Sequence, residues 1–527
     1  MPDNAATIAR TVLCAVMVAT VGCGGAHAGD SAGPVWPTRQ WQTSTPEAQG
    51  MDSAVLAGLI DYGTTRRFDS LLIARHGRIV LDAYYAPYTA DFPHVANSTT
   101  KAVIGTLTAI ATQEGLLDGP NHPMLDFFGD RHIANLDDRK RAITIQNVLD
   151  MTSGIEWEEG IEGSRKQSLV DFGRSANQIQ FVLDRPMAHV PGDVFNYNSG
   201  NPNLLSAIIT RLTGMTAWDY AKAKLFAPLG ISTSRWWHDA QGLTTGGGGL
   251  VLYPRDMAKI GYLYLRQGKW EDRQLIPPDW ADRPNHAAVN MNASFDPDLR
   301  YSNFFWAFPD KHVFMAVGDR CQFIMVFPKL DIVAVTTSRN YCSFSKMAND
   351  ISATVKSDVA LPPNPAGATM LADRIRDIST EKPTEVGETS AIASAISGKT
   401  YQFPGIGLNV FPGNGLNLKS LSLDLADAHP HYELEVCSRD SVNSSWKFVG
   451  PIGLDGRYRL GEATALGVIA LKGAWSNSQT FAIDVRLLGG DNDRKWILSF
   501  DGAKVNLRGK DADGREVSID GEIAGSN

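Results

Sequence analysis

The chain has 527 residues, a hydrophobic fraction of 43% and a formal net charge of −8. This length exceeds what one ordinary core can hold, so it predicts a globular protein of two or more domains. The acidic balance leaves no basic surplus to neutralise phosphates, which excludes nucleic acid as the main partner.

The N-terminus has the order of a secretory signal. Arg10 precedes an apolar stretch over residues 11–22, which is followed by Cys23 and by Ala26-His27-Ala28. This order predicts a signal peptide over residues 1–28 and export to the periplasm or cell envelope. Cleavage before a lipidated Cys23 would attach the chain to a membrane, whereas cleavage after Ala28 would not. Both sites stay open, as does the alternative of a disordered apolar tail.

The cysteines do not form a disulfide framework. Cys14 and Cys23 belong to the predicted signal, and an odd number remains in the body, namely Cys321, Cys342 and Cys437. No Cys-x-x-Cys or His-Glu-x-x-His spacing occurs in the sequence. We therefore predict neither a metal nor a cofactor.

Two elements open the body of the chain. The pattern of residues 71–85 predicts a β-hairpin that turns at His76-Gly77. A Pro-containing extended stretch over residues 92–96 then gives way to an uncharged run with apolar residues at helical spacing, which predicts a helix over residues 102–113.

The tetrapeptide Ser98-Thr99-Thr100-Lys101 begins this helix. Residues three apart lie on one helix face, so Ser98 and Lys101 are expected within hydrogen-bonding distance. Desolvation disfavours a charged ammonium group, so a buried lysine could serve as the base that activates the serine. The alternative is a capping serine beside a solvated lysine. The same spacing recurs without a following uncharged helix at Ser343/Lys346, Ser379/Lys382 and Ser444/Lys447.

The middle of the chain is predicted to be mostly helical up to about residue 300. The helical candidates are Ile143–Met151, Ser168–Leu183, Asn203–Thr213 and Ala217–Leu225. Two β-rich runs follow, at 314–327 and 331–338, and they predict a second hairpin. Strands at both ends with helices between them imply one antiparallel sheet and an α+β fold for residues 40–360.

The C-terminal part has a different pattern. Residues 361–397 are rich in Pro, Ala, Thr and Glu and are interpreted as a helix plus linker. Residues 398–527 alternate and carry strong hairpin turns at Asp455-Gly456, Asp501-Gly502 and Asp513-Gly514. They predict a separate all-β domain, either a barrel or a sandwich, that folds independently.

Several short motifs follow Ser98 in a fixed order. They are Leu149–Ile155, Pro191–Gly200, Ala227–Ile231, Gly246–Leu250 and Asp256–Gly261. In this order, residues 45–345 resemble the serine β-lactamase and penicillin-binding-protein superfamily, in its class C-like esterase and amidase branch. The resemblance implies a β-lactamase/transpeptidase-like domain. The glycine run at 246–249 lacks a following Lys-Ser/Thr, so a phosphate cradle is discounted.

The resemblance assigns roles to residues of this sequence. It implies that Ser98 is the nucleophile, that Lys101 helps to deprotonate it, and that Tyr197 shuttles a proton to the leaving group. The alternative for Tyr197 is a core tyrosine with a satisfied hydroxyl. Ser199 stands where the superfamily usually has asparagine, which resembles members that act on linear amides and esters, and it is predicted to contact substrate.

The third motif departs from the superfamily. No Lys-Thr-Gly or His-x-Gly occurs between residues 300 and 325, where Gly318-Asp319-Arg320-Cys321-Gln322 stands instead. We expect Gly318 to let substrate lie close to the strand, and Cys321 or Gln322 to supply a backbone N–H to the oxyanion hole together with Ser98. The lysine or histidine that would bind a substrate carboxylate is missing. Arg320 is interpreted as a surface residue, and the alternative that it replaces this cation stays open.

Cys321 and Cys342 are candidates for a disulfide. A turn near residues 328–331 pairs position 321 close to 338, and one tight turn after Ser338 would bring the two sulfurs together. Export would place them where disulfides persist. The alternative is two independent buried thiols.

These observations predict an exported serine hydrolase that cleaves a small-molecule ester or amide through an acyl-enzyme at Ser98. Two alternatives remain. One is a D-amino-acid peptidase or weak β-lactamase that acts on cell-wall material. The other is a non-catalytic envelope-binding protein of the same fold, against which the intact Ser98, Lys101 and Tyr197 argue.

Overall fold

The computed structural model describes residues 34–159, 167–232, 235–293, 296–385, 389–404, 416–438, 441–464, 467–490, 493–510 and 515–524. The predicted signal segment with Cys23 and the predicted turn at Asp513-Gly514 lie outside these residues. From Val35 onward, the described residues form one compact unit. None of the helices in the described ranges is long and apolar enough to cross a membrane.

The first part of this unit is built on a nine-stranded sheet of order β1-β3-β2-β14-β13-β12-β11-β10-β9. Every pair is antiparallel except β1 with β3. Smaller sheets are formed by β4-β6-β5 and by β7-β8. The strands are β1 Gln42–Thr43, β2 Phe68–Arg75, β3 Arg78–Tyr84, β4 His94–Val95, β5 Arg235–Trp236, β6 Leu250–Leu252, β7 Lys269–Trp270, β8 Arg273–Gln274, β9 Val289–Asn290, β10 Arg300–Ser302, β11 Phe305–Phe308, β12 Val313–Gly318, β13 Gln322–Phe327 and β14 Ile332–Ser338.

Helices lie between and after these strands. They are α1 Ser53–Thr65, α2 Thr100–Gln113, α3 Asp138–Arg141, α4 Ile145–Leu149, α5 Gln167–Arg174, α6 Gln178–Asp184, α7 Gly200–Thr213, α8 Ala217–Ala221, α9 Ala227–Leu229, α10 Pro254–Leu265, α11 Pro278–Asp282, α12 Phe344–Ala353, α13 Pro365–Ile378 and α14 Ala393–Ile396. The 3₁₀ turns are Glu47–Gln49, Asn97–Thr99, Met124–Phe128, Arg283–His286, Pro309–Lys311 and Pro328–Leu330, and Lys222–Phe226 is π-helical.

The predicted α+β arrangement is confirmed. Strand β2 from the start of the domain pairs antiparallel with β14 from its end, so one sheet is assembled from both ends. The hairpin at His76-Gly77 forms as expected, because both turn residues adopt positive φ.

Two details of the prediction were wrong. The run at 314–327 is not one strand but the hairpin β12–β13, since Arg320 and Cys321 adopt positive φ and turn the chain. The predicted helix over 168–183 is two helices, because the backbone of Asn177 leaves the helical region and its side chain caps α6.

The second part is a β-barrel, one of the two architectures predicted for it. Its strands follow the order β18-β17-β16-β15-β24-β23-β22-β21-β20-β19, and the pairing of β18 with β20 closes a ring of nine. The strands are β15 Lys399–Gln402, β16 Leu416–Asp424, β17 His431–Ser438, β18 Ser441–Gly453, β19 Arg459–Thr464, β20 Gly467–Asn477, β21 Thr480–Leu488, β22 Asp493–Asp501, β23 Lys504–Lys510 and β24 Glu516–Ile523.

The predicted linker over 361–397 contains two helices that belong to different cores. Leu371 of α13 packs in the core of the first part, whereas Ala393 and Ile396 of α14 pack in the core of the barrel. The backbone N–H of Ala86 also donates to the carbonyl of Ile378, at 2.8 Å, which joins the end of α13 to the first part.

Candidate active site

Ser98 lies in a single 3₁₀ turn directly before α2. Asn97 enters this turn with a φ of 47°, a left-handed conformation that costs energy outside glycine and persists only where the surroundings hold it. Thr99 supplies one such tie, because its hydroxyl donates to the carbonyl of Gln322 at 2.7 Å. The turn is therefore fixed against the hairpin β12–β13.

Lys101 is buried, with 1% of its surface exposed, one turn after Ser98. Its Nζ donates to Ser98 Oγ at 2.8 Å and to the carbonyl of Gly247 at 2.9 Å. An amine held in this way can exchange a proton with the serine hydroxyl when the amine is neutral. The predicted juxtaposition of the two side chains is present, and the alternative of a solvated lysine is wrong.

Ser343 and Lys346 have the same spacing, but they are a capping serine and a solvated lysine. Ser343 caps α12 by accepting from the backbone N–H of Lys346 at 3.2 Å. The Lys346 ammonium is exposed and pairs with Asp350 at 2.7 Å. The same tetrapeptide spacing thus gives two environments, because only α2 is surrounded by core.

The glycine run at 246–249 positions the second contact of Lys101. The backbone N–H groups of Gly246 and Gly247 donate to Asn203 Oδ1, at 2.6 and 3.2 Å. A Cβ on Gly246 would lie 2.1 Å from the carbonyl of Pro202, so only glycine fits this approach to α7. The sequence offered no signal for this role beyond the run itself.

Tyr197 lies beside the lysine. Lys101 Nζ is 4.8 Å from the centroid of the tyrosine ring. The ring packs edge-on against Tyr301 and Trp306, with centroids 6.5 and 6.2 Å away. The structure therefore brings Ser98, Lys101 and Tyr197 into one cluster, and the proton-shuttle role of Tyr197 stays a prediction.

The motif at 149–155 holds the loop that carries Tyr197. Met151 has a φ of 56°, its carbonyl accepts from the N–H of Asn196 at 2.8 Å, and its sulfur accepts from the N–H of Asn198 at 3.4 Å. Gly154 is required because a Cβ there would lie 2.4 Å from the carbonyl of His189. The motif is a scaffold for the tyrosine loop.

Ser199 is bound to a buried carboxylate that the sequence analysis missed. Its hydroxyl and its N–H donate to the two oxygens of Glu159, at 2.5 and 2.6 Å, and the indole of Trp157 donates to the same carboxylate at 2.8 Å. The serine hydroxyl is therefore engaged as a donor inside the protein. Its predicted contact with substrate stays a prediction and would use its remaining acceptor capacity.

Gly318 of the third motif packs against the nucleophile turn, and its predicted role of letting substrate lie close to the strand stays a prediction. A Cβ at this position would lie 2.4 Å from the carbonyl of Ala96 and 3.1 Å from Thr99 Oγ1. The glycine therefore allows the end of β12 to touch the backbone beside Ser98. Asp319 is the next contact, because its carbonyl accepts from the amide nitrogen of Asn97 at 3.2 Å.

Cys321 lies in the turn directly before β13 and forms the predicted disulfide. Its partner is Cys342, with the two Cα atoms 6.0 Å apart. Its carbonyl accepts from Thr336 Oγ1 at 2.7 Å, and the side-chain amide of Gln322 donates to the carbonyl of Ser338 at 2.5 Å. Both side chains are thus directed to the end of β14. Their backbone role in an oxyanion hole stays a prediction.

The family of the chain follows from a comparison with known proteins. A family model described as Beta-lactamase matches residues 56–347, which is more than half of the sequence. The chain belongs to this family, within the serine β-lactamase and penicillin-binding-protein superfamily. Among the residues that the structure describes, no group of three or more His, Cys, Asp or Glu could hold a metal ion.

The named proteins that this chain resembles share little sequence identity with it. The 6-aminohexanoate-dimer hydrolase of Paenarthrobacter ureafaciens is 22% identical over 289 residues, which are 51% of this chain and 72% of that protein. Protein flp of Staphylococcus aureus (strain MRSA252) is 26% identical over 289 residues, 49% of this chain and 57% of its own length. A solved structure named EstCE1, a hydrolase with promiscuous acyltransferase activity, has a TM-score of 0.47 and 16% identity, and the match covers 58% of this chain and 99% of that chain.

Proposed function

We propose that this protein is a serine hydrolase that cleaves an ester or a linear amide through an acyl-enzyme at Ser98. The observation that carries the proposal is the buried Lys101, whose Nζ lies 2.8 Å from Ser98 Oγ. In its neutral form this amine takes the hydroxyl proton while the serine oxygen attacks the carbonyl carbon. Tyr197 then delivers a proton to the leaving group and regains one from the Lys101 ammonium, and water attacks the acyl-enzyme to release the acid and restore the Ser98 hydroxyl.

The substrate class rests on what the third motif lacks. The segment from Gly318 to Gln322 carries no lysine or histidine, and Arg320 lies 3.9 Å from the carboxylate of Asp319. A substrate carboxylate would therefore meet no unpaired cation of the usual motif. This favours neutral esters and linear amides, the kind of bond suggested by the name of the 6-aminohexanoate-dimer hydrolase, over β-lactams.

Location in the cell is a further part of the proposal. The order of Arg10, the apolar residues 11–22 and Cys23 supports export, with cleavage before Cys23 or after Ala28. The disulfide between Cys321 and Cys342 is consistent with an oxidising compartment. Mass spectrometry of the protein from a membrane fraction would distinguish a lipidated Cys23 from a free new N-terminus.

The activity is tested with a substrate panel on the purified full-length chain. The panel contains p-nitrophenyl esters of increasing chain length, D-amino-acid amides, the linear dimer of 6-aminohexanoate and nitrocefin. We expect an ester or a linear amide to have the highest kcat/KM, and Ser98→Ala to turn over none of them. Nitrocefin turnover equal to that of the best ester would contradict the substrate class, and substantial turnover by Ser98→Ala would contradict the mechanism.

A further inference from the structure

The barrel reaches the strand that leads to the nucleophile. The backbone N–H of Val95, three residues before Ser98, donates to the carbonyl of Gly489 in the barrel at 2.7 Å. Gly489 has a φ of 82°, and a Cβ there would lie 2.1 Å from the carbonyl of Pro93. Only glycine permits this approach, because any side chain would collide with the backbone of the strand.

A largely buried ionic cluster joins the same two regions, with Asp493 32% exposed at its edge. Arg339, at the end of β14, donates to Asp69 of β2 at 2.6 Å and to Asp493 of the barrel at 2.7 Å. Arg486 of the barrel pairs with the same Asp493 at 3.1 Å. The positive charges of the two arginines thus balance the negative charges of the two aspartates. The side chain of Asp69 is buried, with 1% of its surface exposed.

This cluster faces the residue next to Val95. Nδ1 of His94 lies 3.7 Å from Asp69, and the ring of Tyr88 stacks on the imidazole with centroids 5.2 Å apart. The guanidinium groups of Arg339 and Arg486 lie 5.5 and 6.0 Å from that tyrosine ring. His94 is therefore packed against groups whose charges are compensated in part by the barrel.

An apolar contact surrounds these polar ones. Tyr88, from the first part of the chain, forms one buried cluster with three barrel residues, Tyr458, Ala470 and Leu488. The guanidinium of Arg486 lies 4.3 Å from the ring of Tyr458. The interface therefore has a buried apolar centre, and the Asp493 carboxylate lies at its edge with 32% of its side chain exposed.

We propose that the barrel positions the nucleophile turn, with Gly489 and Asp493 acting as positioning residues for the reaction at Ser98. Gly489 fixes the backbone of Pro93–Val95 from one side, while β6 pairs with β4 from the other. Asp493 holds Arg339 and Arg486, which otherwise repel each other beside His94. The inference rests on the proposed function for its effect on catalysis, but not for its effect on the order of the turn.

The chain contains a matched control for Gly489. Gly502 is also a barrel glycine of positive φ, 59°, yet a Cβ there would meet nothing within 4 Å. Gly489→Ala and Gly502→Ala therefore carry the same substitution and similar backbone strain, and only the first collides with the strand before Ser98. A loss that merely reflects a weakened barrel should appear in both variants.

The test measures hydrogen exchange and turnover in the full-length chain. We expect amide exchange across residues 94–101 to rise about tenfold or more in Gly489→Ala and to stay at the wild-type rate in Gly502→Ala. With the best ester, kcat should fall about tenfold in Gly489→Ala while KM changes less than twofold, because the substrate site keeps its groups.

Asp493 gives a second, milder pair of variants. Asp493→Asn should raise amide hydrogen exchange over residues 94–101. Asp493→Glu should keep most of the wild-type protection, because it keeps the negative charge. Equal exchange at residues 94–101 in Gly489→Ala, Gly502→Ala and wild type would overturn the inference. If the wild type turns over no substrate, the proposed function fails, whereas the exchange comparison still decides whether the barrel orders the turn.

Discussion

Ser98 lies between a helix side and a hairpin side. On the helix side, Lys101 donates to the serine hydroxyl, while the Gly247 carbonyl and the Tyr197 ring contact Lys101. The hairpin side, Gly318–Gln322, meets the nucleophile turn mainly through backbone atoms. Proton transfer at Ser98 therefore requires particular side chains on the helix side, whereas the hairpin side requires only that two backbones can approach closely.

The largest effect is expected on the helix side. Lys101→Met keeps the length of the buried chain but removes the base, so kcat/KM for the best ester should fall by about 10²–10⁴-fold. Lys346→Met is the control, since it changes a lysine of the same Ser-x-x-Lys spacing that is exposed on α12. Ester turnover by Lys101→Met within tenfold of the wild type would rule out the lysine as the base.

Tyr197→Phe tests the second proton-transfer group. The ring contacts to Tyr301 and Trp306 would remain, so the loss is confined to the hydroxyl. We expect kcat to fall by about 10²-fold or more, with little change in the melting temperature. Tyr301→Phe serves as the comparison, because that hydroxyl is buried in the cluster but lies outside the proposed reaction. Equal losses in both variants would remove Tyr197 from the mechanism.

The hairpin side is tested through the disulfide, whose loop spans 21 residues. Replacing Cys321 and Cys342 by serine should lower the free energy of unfolding by about 2–4 kcal/mol, because the unfolded chain regains loop entropy. The measurement is urea unfolding with and without the bond. Turnover should fall only a few-fold, since no proton-transfer group is touched. A loss of turnover as large as that of Lys101→Met would show that the two sides do not differ as described.

The smallest effect concerns His94, before the nucleophile turn. Burial, assisted by Arg339, lowers its pKa to about 3, so folded His94 stays neutral while the unfolded residue takes up a proton below about pH 6.5. Because only the unfolded state takes up this proton, the free energy of unfolding decreases as the pH falls below about 6.5. Burial raises the pKa of Asp69 to about 6, although Arg339 opposes this shift. The contribution of Asp69 to the free energy of unfolding therefore has the opposite sign, and it increases as the pH falls from about 6 to 3.8.

The two contributions are separated by His94→Gln. Between pH 6.5 and pH 4.5, wild type should lose about 2 kcal/mol of unfolding free energy relative to the variant, because only wild type has a histidine that takes up a proton on unfolding. Denaturant titrations at the two pH values measure this difference. Parallel changes in the two proteins would mean that His94 is protonated in the folded state.

The sequence predicted contacts correctly where the two residues lie close together in the chain. The positions of Ser98 and Lys101 follow from one helical turn, and the disulfide follows from counting residues around one hairpin. The contact of Gly247 with Lys101 and the binding of Ser199 by Glu159 were missed, because they join residues 146 and 40 positions apart. Periodicity carries no information about such pairs.

The hairpin at Gly318–Gln322 was missed for a different reason. Arg320 and Cys321 occupy positive φ, a conformation that turn prediction expects of Gly, Asn or Asp. Packing against the nucleophile turn and the disulfide override that preference. The docking of the barrel through Gly489 and Asp493 was equally invisible, since it depends on two distant parts of the chain.

The most direct test of the account is covalent labelling of Ser98 by a fluorophosphonate probe, read by intact mass and peptide mapping. The account predicts one adduct per chain, on Ser98, formed at a rate that Lys101→Met lowers by orders of magnitude and Lys346→Met leaves unchanged. An adduct on another serine, or an equal rate in Lys101→Met, would contradict the claim that Lys101 makes Ser98 the nucleophile.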